Sequence, residues 1–351
     1  MRDQSLHPDE LLSFINQHDS FAIFGHEYVD GDAWGSMVGL GEALRSMGKS
    51  VTLFLTHQVP AGLDILHHAC PTSLEIDETQ HYDAVIFVDF SPLSRITKFL
   101  PHQEWILSHP LAIIDHHHEP NPLDIAVYHK DNSACSTCIL IADFLLTYTP
   151  SHMNASIANA LLMGIMTDTG NFLFPGNYEN IFHISIALIK AGAQKEELTQ
   201  KLFRSRSRAS IQCSQQVLQR AVLGEGFAWS WMHRDERVAF GIDKQESKMG
   251  MNILASVEGV GCVIYFDLTP TEWKLHMRSK KLDNGEHISC AKITALFGGG
   301  GHHCAAGATI VVDQRYHIGD ISCIPKEIGP AGLVQHIINH KHHYTVDHHE
   351  L

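Results

Sequence analysis

Phe21-Ala22-Ile23-Phe24-Gly25-His26-Glu27-Tyr28-Val29-Asp30-Gly31-Asp32-Ala33 is the stretch on which the reading of this 351-residue chain turns. Its first five residues form a continuous apolar run and read as a buried strand. The run empties into a loop with an imidazole, His26, and two carboxylates, Asp30 and Asp32. Gly31 between the aspartates is expected to let the backbone turn sharply. A helical pattern then runs from about Trp34 to Lys49. Strand, polar loop and helix in that order open an α/β unit.

The pattern repeats downstream. Val51-Thr52-Leu53-Phe54-Leu55, Ala84-Val85-Ile86-Phe87-Val88 and Leu111-Ala112-Ile113-Ile114 are further short apolar runs, separated by helical or polar segments. Runs of this kind predict a doubly wound parallel sheet with both faces covered. Asp89 follows the third run directly, and Asp115-His116-His117 follows the fourth. Polar clusters thus stand at the carboxyl ends of strands one, three and four, the edge where open α/β sheets bind ligands. Asp168, in Thr167-Asp168-Thr169-Gly170, comes after an apolar helix expected from Asn154 to Met166.

Helical patterns continue from Tyr178 to Ala191 and from Glu196 to Arg220, the latter basic through Arg204, Arg206 and Arg208, read as a solvated helix face. After Gly224 the texture changes to alternating strands, a helix from Ile288 to Phe297, a glycine-rich loop and a strand over 308–312. The sequence therefore divides into an α/β domain over 1–192, a helical linker over 193–223, a smaller mixed α/β domain over 224–335 and a His-rich tail over 336–351.

Composition bounds the function. Hydrophobic residues make up 44% and charged residues 18%, as in an ordinary globular protein. No apolar run is long enough to span a bilayer, and no signal-peptide core stands near Met1, so a cytoplasmic protein without membrane partners is expected. The formal charge of −14 argues against gripping long duplex nucleic acid, which needs many cationic phosphate contacts. With 27 histidines, a single His carries no weight outside a constellation. The eight cysteines, including the lone Cys135-x-x-Cys138 pair, read as reduced and buried.

Carboxylates mixed with imidazole suit hard or borderline divalent ions, and manganese fits such a set. Asp89, central at the sheet edge, is the natural carboxylate to bridge two ions. One carboxylate at a strand end is commonly a cap or turn residue; three such clusters at one edge are hard to explain that way.

His26-x-x-x-Asp30-x-Asp32-Ala33-x-Gly35-Ser36 resembles the first motif of the DHH phosphoesterases. Asp89, Asp115-His116-His117 and Asp168 are similar to the second, third and fourth motifs. Gly299-Gly300-Gly301-His302-His303-Cys304-Ala305-Ala306-Gly307 resembles the signature of the associated DHHA1 domain. Family members usually carry Pro before the first motif aspartate; this chain has Val29, which shapes the loop and donates no ligand.

The resemblance implies roles. His26 and Asp30 would hold one ion, Asp32, His116 and Asp168 the other, with Asp89 bridging and Mn²⁺ as the metal. His117 would stand at the substrate phosphate and leaving group, Asp115 would orient the histidines, and a water between the ions would be the nucleophile. Arg278, Ser279, Gly299, Gly300, Gly301 and His302 would bind substrate. His303 fills a variable position and is expected at the surface; His118 extends the run into a loop. Asp347-His348-His349 repeats the third motif without a preceding strand, and Asp168-Thr169-Gly170 lacks the second copy an aspartic protease needs.

The absence of a pyrophosphatase-type C-terminal domain, of extra nucleic-acid-binding parts and of membrane segments leaves the compact oligoribonuclease type. The implied substrates are short single-stranded oligonucleotides or 3′-phosphoadenosine 5′-phosphate. A stand-alone phosphodiesterase for linear or cyclic dinucleotides, and a non-catalytic nucleotide-binding member of the fold, are the alternatives. Homo-oligomers are compatible with either.

Overall fold

The computed structural model describes residues 7–60, 62–90, 97–117, 126–174, 176–224, 226–242, 247–282 and 285–346. His118 and Asp347-His348-His349 lie outside the described residues, as does the side chain of His302. The chain divides into two compact units, Met1–Ser205 and Arg206–Leu351.

The first unit carries strands β1 (Ser20–Phe24), β2 (Ser50–Phe54), β3 (Thr72–Ser73), β4 (Ala84–Val88), β5 (Leu111–Asp115) and β6 (Ala126–Lys130). They form one sheet in the order β3-β2-β1-β4-β5-β6, and every pair is parallel. The α/β class and parallel sheet expected from the apolar runs are present, flanked by helices. Two strands were not legible, the two-residue β3 and the polar β6. Side chains alternate across the sheet as the pleat requires. Phe21 and Ile23 of β1 face one core, with Trp34, Met37, Leu161 and Ile165. Ala22 and Phe24 face the other, with Phe54, Phe87, Phe90 and Phe99. Phe24 stacks on Phe54 with ring centroids 4.9 Å apart. Full burial of each such ring contributes up to about 3 kcal/mol.

Helices α1 (Pro8–Gln17), α2 (Gly31–Ser46), α3 (Gln103–Leu107), α4 (Thr137–Tyr148), α5 (Ala155–Asp168), α6 (Tyr178–Lys190) and α7 (Lys195–Phe203) complete this unit. Gly31 does not make the sharp turn expected of it. It is the first residue of α2, and Asp30 caps the helix by accepting from the backbone N–H groups of Asp32 and Ala33, each at 3.1 Å. Glycine is needed for closeness instead: any side chain at Gly31 would strike Thr167 of α5. Four residues on, a Cβ at Gly35 would lie 2.5 Å from the Ala160 carbonyl oxygen. The glycine stripe lets α2 approach α5 closely, which brings the Asp32 end of one helix to the Asp168 end of the other.

The second unit opens with α8 (Arg208–Gln219) and β7 (Val222–Gly224), followed by β8 (Phe227–His233), α9 (Arg234–Ala239), α10 (Met249–Ala255), β9 (Cys262–Leu268), β10 (Glu272–Ser279), α11 (Cys290–Ala295), β11 (Gly300–His302), β12 (Ala305–Val311), β13 (Tyr316–Ile318), β14 (Ile321–Cys323) and α12 (Pro325–Asn339). Its main sheet runs β11-β12-β10-β9-β8-β7, antiparallel except for β8 with β9. The segment expected as a linker is divided. Leu198 of α7 joins the first unit's core, whereas Cys213 and Val217 of α8 join a core of the second. The tail packs too: Ile337, Tyr344 and Val346 are buried, and Thr345 bridges to Ile288. Glycines 300 and 301, expected in a loop, are paired in β11 opposite Gly307 and Ala306. Among the described residues no helix is long and apolar enough to cross a membrane.

Candidate metal centre

The carboxyl edge of the first unit's sheet gathers the acidic and histidine residues singled out above. Asp89 follows β4 with its backbone N–H still donating to the Ile114 carbonyl of β5 at 2.9 Å. Its φ of 52° lies in the left-handed region, unusual for a residue with a side chain. Strain of this kind is tolerated where surroundings over-determine the conformation, and it concentrates at functional sites. Asp115 is the last residue of β5, and Asp168 is the last residue of α5, not part of the loop behind it.

Three overlapping sets of ligand atoms result, each lying within 4.8 Å of one another: His26, Asp30 and Asp89; Asp32, His116 and Asp168; and Asp89, His116 and His117. His26 Nε2 is 3.5 Å from Asp30 Oδ1 and 3.6 Å from Asp89 Oδ2. His116 Nε2 is 3.5 Å from Asp89 Oδ1, 3.5 Å from Asp168 Oδ2 and 3.9 Å from Asp32 Oδ2. Asp89 therefore faces both groups, one through each carboxylate oxygen.

Residues around the centre hold these side chains in place. Asp32 Oδ2 accepts from the Thr137 N–H at 2.6 Å and Oδ1 from the Cys138 N–H at 2.9 Å. Both donors stand at the N-terminus of α4, whose dipole favours a carboxylate there. Thr137 also donates from its hydroxyl to Asp89 Oδ1 at 3.1 Å. His116 is fixed through Nδ1 and the Ala134 carbonyl at 3.2 Å. Asp115 contacts His117 Nδ1 at 2.7 Å through one oxygen and Lys130 Nζ at 3.0 Å through the other. From sequence, Thr137, Ala134 and Lys130 had no part in the site, and Cys138 was read only as a buried thiol. Backbone donors have no side-chain signature, and a lone Thr or Lys is invisible without the fold.

The charge balance fits a cation. Asp32, Asp89 and Asp115 are almost wholly buried. Burial, with Asp89 and Asp30 adding to it, holds the Asp32 carboxyl well above the ordinary carboxylate range. Burial does the same to Asp168, reinforced by Asp32, Asp30 and Asp89. At Asp30 burial pushes upward, but His26 outweighs it and the net shift is downward. At His26 burial pulls the imidazole down, and Asp30 and Asp89 overcome that and raise it. Burial lowers His116, which favours the neutral imidazole a metal ligates. Carboxylates crowded against one another in a buried site are the donor set that divalent cations neutralise.

Residues 20–165 match the family model described as DHH family, N-terminal domain. Those residues are a DHH-family domain. The "Bifunctional oligoribonuclease and PAP phosphatase NrnA" of Bacillus subtilis is 26% identical over 307 residues, 86% of this chain and 92% of its own length. The protein of the same name from Thermus thermophilus is 27% identical over 315 residues, 89% and 91% of the two chains. Among solved structures, an exopolyphosphatase-related protein from Bacteroides fragilis superposes with a TM-score of 0.75 at 24% identity, over 86% of this chain and 90% of its own. That likeness shows a shared fold.

In the second unit, Arg278 pairs with Ala305, which pairs in turn with His302, so the three positions line up across β10, β12 and β11. Arg278 is partly buried, donates from Nη1 to the Met277 carbonyl at 3.0 Å, and has its pKa lowered by burial. Ser279 Oγ lies 3.0 Å from His287 Nε2 and donates to the His303 carbonyl at 3.0 Å. Gly299 is packed so closely on Gly307 and Ala308 that no side chain fits, whereas a Cβ at Gly300 would meet open space. A cleft of about 350 Å³ lined by Lys274, His276, Gly298, Gly299 and Thr309 adjoins this glycine segment. His303, expected at the surface, is partly buried and 2.7 Å from Ser289 Oγ.

Proposed function

We propose that this protein is a metal-dependent phosphoesterase that hydrolyses short oligonucleotides, 3′-phosphoadenosine 5′-phosphate, or both. The observation carrying the reading is Asp89 facing two ligand sets at once, His26 and Asp30 on one side and Asp32, His116 and Asp168 on the other. The names of the two full-length relatives support the choice of substrates.

Two divalent ions bound there, manganese in this proposal, supply Lewis acidity and an activated water for attack on phosphorus. Asp89 holds one carboxylate oxygen toward each ligand set. Asp32 is kept in orientation by the two α4 amides, so no reorganisation is needed when charge develops. Asp115 anchors His117 through Nδ1, and Nε2 is the nitrogen we assign to the phosphate and the leaving oxygen. As the bond from phosphorus to the leaving oxygen breaks, His117 gives that oxygen a proton. Arg278, Ser279 and the 299–302 segment bind the substrate's phosphate, with the guanidinium offering paired hydrogen bonds.

The test is chelation followed by metal return. Activity on a panel of dinucleotides, pentanucleotides and 3′-phosphoadenosine 5′-phosphate should vanish with chelator and recover best with Mn²⁺. Asp89→Ala should lower kcat by at least about 100-fold and weaken binding at both ligand sets. Near-normal turnover of Asp89→Ala, or turnover that survives chelation, would overturn the proposal.

A further inference from the structure

We propose that Glu42, His68 and Cys70 form a separate site for a borderline-soft divalent cation of the zinc type, which ties residues 66–70 to α2. The three residues offer one carboxylate oxygen, one imidazole nitrogen and one thiol sulfur, all within 4.8 Å of one another. The set shares no residue with the metal centre. Glu42 lies ten residues beyond Asp32 on the same helix, about 15 Å along its axis at the rise of an α-helix.

The local geometry is already close to that of a ligand shell. Cys70 Sγ is 3.3 Å from Glu42 Oε1. In tetrahedral zinc, with sulfur at about 2.3 Å and oxygen at about 2.0 Å from the metal, two such ligands stand about 3.5 Å apart. Cys70 is 5% exposed, so the sulfur is shielded while Glu42 and His68 remain partly accessible to an entering ion. Gly41 permits the approach: a Cβ there would lie 2.9 Å from Cys70 Sγ.

Protein–protein bonds account for only part of this arrangement. Glu42 Oε1 accepts from the Ala69 N–H at 2.8 Å and from the Cys70 thiol, which ties the segment down without a metal. His68 has no such explanation. Its Nδ1 is buried and has no hydrogen-bond partner among the described residues. The ring is held edge-on to Trp34, centroids 5.2 Å apart at 81°. An unpaired buried ring nitrogen costs free energy, and this one belongs to a residue whose imidazole sits within ligand reach of a thiol and a carboxylate.

The donor set selects the ion. Thiolate with imidazole favours zinc over the manganese or magnesium that a carboxylate-rich centre takes. Three protein ligands leave a fourth position for water. On binding, the thiol proton now directed at Glu42 leaves to solvent and the sulfur takes the metal.

Cobalt is the probe. Full-length protein stripped by chelator and titrated with Co²⁺ should develop thiolate-to-cobalt charge-transfer absorption with the amplitude of one thiolate-bound cobalt per chain, and Zn²⁺ should bleach it. Cys70→Ser should abolish the band, and His68→Ala should weaken the titration at least about tenfold. Glu42→Gln keeps an oxygen acceptor for the Ala69 N–H, so it preserves the fold while weakening the titration. Asp89→Ala should leave the band intact, which separates this site from the metal centre. A wild type without the band overturns the proposal. So does a band that survives Cys70→Ser, which would place the sulfur ligand at another cysteine. A titration unmoved by all three site variants overturns it as well.

Discussion

Thr137 donates from its side-chain hydroxyl to Asp89 Oδ1 at 3.1 Å while its backbone N–H holds Asp32 Oδ2 at 2.6 Å. One residue at the start of α4 thus positions two carboxylates of the candidate metal centre. Thr137→Val removes only the hydroxyl bond and keeps shape and backbone donor. The variant should fold normally, bind Mn²⁺ about tenfold more weakly and lose about tenfold in kcat. Thr137→Ser should restore both. Unchanged metal affinity in Thr137→Val would show that Asp89 needs no such support.

The acid stability of the first unit should depend on His129. Its imidazole is buried against Phe144, and burial holds its pKa down to about 4 from an ordinary 6.5. Between those values the unfolded chain takes up a proton that the folded chain refuses. The contribution is therefore complete above the unfolded pKa and is lost as pH falls toward the folded one, on the order of 3 kcal/mol in all. His129→Phe should show a smaller drop in Tm between pH 7 and pH 4.5 than the parent, both measured in chelator. Parallel pH profiles for the two proteins would contradict this.

Arg278→Ala should act on substrate binding rather than on the attacking water. The expected result is a KM at least about tenfold higher with a lesser change in kcat, and incomplete rescue by Arg278→Lys, whose single ammonium cannot make paired bonds. Identical kinetics on every substrate of the panel would remove Arg278 from the binding set.

Legibility in the sequence followed burial and side-chain chemistry. β1, β4 and β5 were readable because both their faces are covered, which leaves near-continuous apolar runs. β6 was not, since it carries His129 and Lys130; Lys130 is buried and pairs with Asp115. β11 read as a loop because three glycines signal a turn, yet it pairs with β12, where Gly299 and Gly301 serve close approach. His26, Asp30, Asp32, Asp89, His116, His117 and Asp168 could be picked out because acids and imidazoles at strand ends are conspicuous. What holds them could not: the α4 amides, the Ala134 carbonyl and the φ of Asp89 exist only in three dimensions. The Glu42, His68 and Cys70 cluster was equally hidden, because a helix residue and a loop 26 residues away share no motif.

The proposed metal-dependent phosphoesterase is expected to be confined to short substrates. The chain's formal charge of −14 offers a long polyanion repulsion, and Arg278 with the 299–302 segment, in the binding role proposed for them, would hold only a few nucleotides. The most direct test is kcat/KM for single-stranded RNA and DNA from two to about twenty nucleotides, at fixed salt with Mn²⁺. The expected result is a maximum at about two to five nucleotides and a fall with length, because added phosphates gain no contacts. A kcat/KM that is level or rising at about twenty nucleotides would contradict it.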